Sequence, residues 1–90
     1  MKKILIIDDD IDMCHLLARF LRRKNFDTDF ATSGNKGIAA FKENSFDLVL
    51  CDFRLGDKEG AQVLKEIKQS EKLKDLTVII FTTSDDNART

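Results

Sequence analysis

The sequence predicts an α/β domain, a parallel sheet with helices on both of its faces. Three observations carry this. Short apolar runs without polar alternation occur at residues 3–7, 46–51 and 77–81, and such runs suit strands buried on both sides. Segments between them repeat their apolar residues at helical spacing. Alternation of the two periods implies right-handed parallel crossovers.

The elements follow in order. Lys3, Ile4, Leu5, Ile6 and Ile7 form the first strand, which stops at Asp8. Met13, Leu16, Leu17, Phe20 and Leu21 recur at helical spacing and predict the first helix. Asp10 or Asp9 can cap it, Asp12 suits the positive end of its dipole, and Arg22, Arg23 and Lys24 suit the other end. Phe26-Asp27-Thr28-Asp29-Phe30 alternates strictly, as a half-exposed edge strand does. Ser33-Gly34 opens a second helix carrying Ile38, Ala39 or Ala40, and Phe41. The run from 46 to 51 is the third strand, stopped by Asp52, and a loop from Arg54 to Gly60 follows. Val63, Leu64 and Ile67 mark a third helix. The fourth strand, 77–81, ends in Thr82-Thr83-Ser84, and Ser84-Asp85-Asp86 is a helix-start signal. The expected organisation is one domain over residues 1–90, ending within that fourth helix.

Ninety residues is a single-domain length, at which folding buries only about 60% of the unfolded surface. The 15 basic and 16 acidic residues leave a net charge of −1, which excludes a broadly basic binder of nucleic acid or membrane surfaces. No apolar run approaches the ~18 residues of a membrane helix, and the N-terminal run is too short for a secretory signal. Cys14 and Cys51 show no CxxC spacing, which fits a reducing, cytoplasmic setting. Proline is absent, so Gly, Asp, Asn and Ser must make the turns.

In parallel sheets of this kind ligands bind beyond the carboxyl ends of the strands. Asp8-Asp9-Asp10, Asp52 and Thr82 therefore converge on one edge although they are far apart in sequence. Carboxylates about 4 Å apart repel by roughly 4 kcal/mol at an effective dielectric near 20. A divalent cation relieves this, and an all-oxygen set suits Mg²⁺. The bland alternative is a solvated capping run at Asp8 to Asp12. Asp52 is open to two readings, a loop residue after a strand or a carboxylate nucleophile towards phosphorus. Thr82 offers a hydroxyl beside it, or simply finishes a strand. An EF-hand is excluded, because Met13 and Arg19 stand where its glycine and glutamate belong. No glycine-rich nucleotide loop is present. His15 reads as an exposed helical residue, and Cys51 as a small core residue.

Taken together, Ile4-Leu5-Ile6-Ile7-Asp8-Asp9-Asp10, Leu48-Val49-Leu50-Cys51-Asp52-Phe53-Arg54-Leu55 with Gly60, and Val78-Ile79-Ile80-Phe81-Thr82 resemble the receiver domain of a two-component response regulator along the whole chain. The resemblance implies a flavodoxin-like, CheY-like three-layer fold with strand order 2-1-3-4. It implies that Asp52 accepts the phosphoryl group from a sensor histidine kinase or phosphotransfer protein. It makes Asp9 a direct Mg²⁺ ligand, Asp8 a water-mediated one, and the Arg54 backbone carbonyl a further one beside Asp52. Thr82 matches the switch hydroxyl. The expected protein is a signalling domain that catalyses its own phosphorylation and dephosphorylation, rather than an enzyme acting on another substrate. Gly56 stands where the family usually has Pro, and Thr83 where it usually has Ala or Gly. The family's last strand, with its Lys, and last helix have no counterpart in these 90 residues.

Two rival readings belong to other classes. A phosphorylation-independent interaction module would keep the fold and use its apolar edge or its helical faces for assembly. A phosphatase built on Asp8-x-Asp10 would want Thr or Val at position 12, where Asp12 stands. The apolar fourth strand at a sheet edge also leads to the expectation that two copies pair through it.

Overall fold

A computed structural model describes residues 2–69 and the backbone of residues 77–81. The chain runs β1(Lys3–Ile7), α1(Ile11–Arg23), β2(Asp27–Ala31), α2(Gly34–Glu43), β3(Leu48–Asp52), α3(Gly60–Lys68) and β4(Thr77–Phe81). All strand pairs are parallel, and the order across the sheet is β2-β1-β3-β4, as expected from the resemblance. The expected fourth helix, with Thr82 and Thr83, lies outside the described residues.

The unbroken apolar run of β1 has a simple cause. Successive side chains point to opposite faces, and both faces are covered. Ile4 and Ile6 pack under α1 with Cys14, Ala18, Leu17, Leu21, Phe26 and Phe30. Leu5 and Ile7 pack under α2 and α3 with Ile38, Phe41, Val49, Val63 and Ile67. Fully burying one such side chain stabilises by about 1.5–3 kcal/mol, so β1 anchors both layers at once.

Caps fix where the helices begin and end. Asp10, not Asp9, caps α1, accepting from the amides of Asp12 at 3.0 Å and Met13 at 3.2 Å. Asp9 is thereby left to the sheet edge. The other end of α1 closes on Asn25, whose φ of 70° is left-handed. The Asn25 amide donates to the Arg22 carbonyl at 3.0 Å and the Phe26 amide to the Leu21 carbonyl at 3.1 Å. This is a Schellman closure with asparagine in the place glycine usually takes.

Two local expectations shift, and one open alternative is resolved. The sheet-facing stripe of α1 is Cys14, Leu17, Ala18 and Leu21, whereas Leu16 and Phe20 are 58% and 56% exposed. α1 carries two apolar stripes, and the smaller Cys14 and Ala18 let the helix approach the sheet closely. β3 starts at Leu48, because Phe46 is spent on the core ahead of the ladder and the Asp47 amide bonds the Lys3 carbonyl at 2.8 Å. On α2 it is Ala40, not the exposed Ala39, that packs against the core. Among the described residues no helix is long and apolar enough to cross a membrane.

Candidate phosphoryl-acceptor and metal site

β1 and β3 are neighbours in register, Ile7 opposite Cys51, so the residues that follow them meet at the carboxyl edge of the sheet. Asp8, Asp9 and Asp52 each bring a carboxylate oxygen to within 4.8 Å of the others. Asp8 is fully buried, Asp52 is 4% exposed, and Asp9 faces solvent. Of the residues expected to converge, Asp8, Asp9 and Asp52 come together, Asp10 caps α1, and Thr82 lies outside the described residues.

Asp8 is held firmly. Its amide donates to the Ala31 carbonyl at 3.1 Å, and the Cys14 thiol donates to its carbonyl at 3.2 Å. Its Oδ1 accepts the Asp10 amide at 2.9 Å. Its Oδ2 is buried with no hydrogen-bond partner among the described residues. Burial pushes the Asp8 carboxyl above its usual range, and the charges of Asp52, Asp9 and Asp10 push the same way against the Asp10 amide. An orphaned buried acceptor costs about 1–3 kcal/mol, and the neighbouring carboxylates add repulsion. A small, hard divalent cation on these oxygens relieves both costs, and the all-oxygen donor set fits Mg²⁺.

Asp52 ends β3, and the backbone turns sharply there. The Gly60 amide donates to the Phe53 carbonyl at 2.7 Å. A Cβ on Gly60 would lie 2.6 Å from the Asp52 carbonyl oxygen, so only glycine lets α3 start against the backbone of Asp52. Between these points the loop doubles back. Arg54 forms an antiparallel bridge to Glu59, and the Leu55 amide donates to the Lys58 carbonyl at 3.1 Å. Gly56 sits at the tip, where an added Cβ would lie 4.0 Å from Asp9 Oδ2. The loop bearing Arg54 thus borders the acidic trio.

The two thiols belong to the core and not to the acidic trio. Burial, helped by the charges of Asp52 and Asp8, pushes Cys51 up to about 12. Burial and the charge of Asp8 likewise push Cys14 up to about 11. Both are core thiols, Cys51 as the sequence suggested. His15 is exposed and meets the Phe30 ring edge-on at 5.1 Å between centroids.

Sequence reasoning missed Asp57. Its carboxylate accepts the amides of Gly34 and Asn35, both at 2.8 Å, across 22 and 23 residues of chain. One signal pointed to it: the first turn of α2 has no acidic residue of its own to meet the helix dipole.

A parallel three-layer α/β domain with three carboxylates gathered at the carboxyl edge of its sheet has a flavodoxin-like architecture. The chain belongs to the response regulator receiver domain family, whose model matches residues 4–90. It is 43% identical over 65 residues to the transcriptional regulatory protein ZraR of Salmonella typhimurium, covering 72% of this chain and 15% of ZraR. It superimposes on a response regulator receiver domain protein from Clostridium thermocellum with a TM-score of 0.84 at 31% identity, covering 99% of this chain and 72% of the other. It is also similar to a chain in the solved complex of histidine kinase ThkA with response regulator protein TrrA, with a TM-score of 0.83 at 30% identity, covering 92% of this chain and 70% of that one.

Proposed function

We propose that the domain accepts a phosphoryl group on Asp52 from a phosphohistidine of a sensor histidine kinase or phosphotransfer protein. The observation that carries this reading is the trio Asp8, Asp9 and Asp52 at the end of two adjacent strands. Structural similarity to a chain of a kinase–regulator complex supports the choice of donor. An Asp52 carboxylate oxygen attacks phosphorus, an O–P bond forms as the N–P bond breaks, and the imidazole leaves with the electron pair and takes a proton. Asp8, Asp9, Asp52 and the Arg54 backbone carbonyl are the proposed Mg²⁺ ligands. Bound there, the ion offsets charge on the phosphoryl oxygens. Thr82, outside the described residues, is the proposed hydroxyl that reports the phosphoryl group to the rest of the fold. Attack of water on phosphorus then resets Asp52.

The exposed Leu16 and Phe20, one turn apart on α1, favour a protein partner over a small substrate. They suit the kinase, and they equally suit a phosphorylation-independent interaction module.

Incubation with Mg²⁺ and acetyl phosphate, read by intact mass, tests the proposal. One phosphoryl adduct is expected, absent in Asp52→Asn and without Mg²⁺. No adduct, followed by none from a phosphorylated kinase, would leave the interaction module as the better reading.

A further inference from the structure

We infer that Asp57 is a positioning residue for the acidic site: it pins the tip of the loop carrying Arg54 to the start of α2, and so holds the loop beside Asp9 and Asp52 in its cation-binding shape. The inference rests on the proposed Mg²⁺ site and adds the device that keeps one side of it in place.

The first amides of a helix have no partner within it. In α2 the Lys36 amide goes to the Ser33 hydroxyl at 3.1 Å, while those of Gly34 and Asn35 go to the two carboxylate oxygens of Asp57. Bonds from amides to an ionised carboxylate are roughly twice as strong as neutral ones, and here both converge on one side chain from another element.

The joint is shaped for this contact. A Cβ on Gly34 would fall onto Lys58 Cγ and lie 3.1 Å from Asp57 Oδ1, so glycine at 34 is what lets the loop seat. The next residue ties the loop the other way, with Lys58 Nζ 2.8 Å from Glu66 Oε2 on α3. At the root the loop is closed by the Gly60 to Phe53 bond. At the tip stands Gly56, the residue with the most backbone freedom, bordering Asp9. Among the described residues, the two Asp57 bonds tie that tip to the first amides of α2.

Two ways of weakening the start of α2 separate positioning from plain stability. Asp57→Ala frees the loop. Ser33→Ala removes a cap from the same helix and leaves the loop tied. Titration calorimetry with Mg²⁺ alone, on the full chain, should show about tenfold weaker binding for Asp57→Ala, the scale on which groups that orient metal ligands act. Ser33→Ala should lower the melting temperature with the Mg²⁺ affinity unchanged. Gly56→Pro added to Asp57→Ala should recover most of the affinity, because proline restricts the tip by itself. Gly56 has no positive φ and has room for a side chain.

Asp57→Ala binding Mg²⁺ as tightly as the wild type, while Asp9→Ala does not bind, overturns this inference and leaves the site reading intact. A wild-type chain that binds no Mg²⁺ overturns both.

Discussion

Asp8 stores an unfavourable interaction at the centre of the site. Its Oδ2 is buried with no hydrogen-bond partner among the described residues, and two more carboxylates stand within 4.8 Å. Asp8→Asn keeps the oxygen that accepts the Asp10 amide and replaces the orphaned acceptor with a donor facing Asp9 and Asp52. In EDTA this variant should be more stable than the wild type, by on the order of 1 kcal/mol, or several degrees in Tm for a domain of this size. Added Mg²⁺ should reverse the order. At a hundred times its dissociation constant the ion stabilises a binding protein by about 2.7 kcal/mol, and the variant forgoes that gain. Thermal melts with and without Mg²⁺ check both halves, and a less stable Asp8→Asn in EDTA would show that the carboxylate is compensated after all. Gly60 works the opposite way, through what it lacks. Gly60→Ala drives a Cβ against the Asp52 carbonyl and must displace backbone, so both stability and Mg²⁺ binding should fall. Calorimetry of the variant with Mg²⁺ reads both.

The joint between α2 and the loop after β3 is a helix cap supplied by another element, and it carries a pH signature. The amides of Asn35 and Gly34, helped by the charge of Lys58, hold the Asp57 carboxyl below its usual value of 3.8. A lowered value means that the folded state favours the ionised form. The stabilisation is therefore complete above the usual value and is lost as the pH falls through the lower, folded one. Wild type should melt a few degrees above Asp57→Ala at neutral pH, and the gap should persist to about pH 4 and close only in stronger acid. A gap that closes between pH 5 and 7 would mean that another group carries it. This joint was illegible in the sequence because its partners lie 22 and 23 residues apart. Neither half is unusual alone, an aspartate in a polar loop and a glycine after a serine. Asp8, Asp9 and Asp52 were legible for the opposite reason, since each stands where a buried run stops. The phase of α1 was misread because Leu16 and Phe20 offer a second apolar stripe, and hydrophobicity alone does not say which stripe meets the sheet. Small residues decide it, because Cys14 and Ala18 permit close approach.

At the scale of the whole sheet, its two edges differ in kind. The β2 edge carries charge, with Asp27 and Asp29 exposed and Asp29 3.3 Å from Lys3 Nζ. Charged residues at an edge discourage pairing with another sheet. The opposite edge is β4, whose sequence Thr77-Val78-Ile79-Ile80-Phe81 is that of an interior strand and which pairs only with β3 among the described residues. The strand order came with the family resemblance, and the residues themselves say only that runs without polar alternation must be covered on both faces. The same reasoning makes an apolar strand at an edge a surface that seeks a partner. The 90-residue chain should therefore associate through β4 as its concentration rises. Sedimentation velocity should show the mean mass climbing from that of the 10.3 kDa monomer towards twice that value. Hydrogen exchange at residues 77–81 should slow over the same concentration range, while exchange in β2 should not change. The two readouts together distinguish strand pairing from association through the exposed Leu16 and Phe20 on α1, which would raise the mass and leave the β4 amides unprotected. A single monomeric species throughout, with exchange in β4 independent of concentration, would show that the edge is satisfied within the chain.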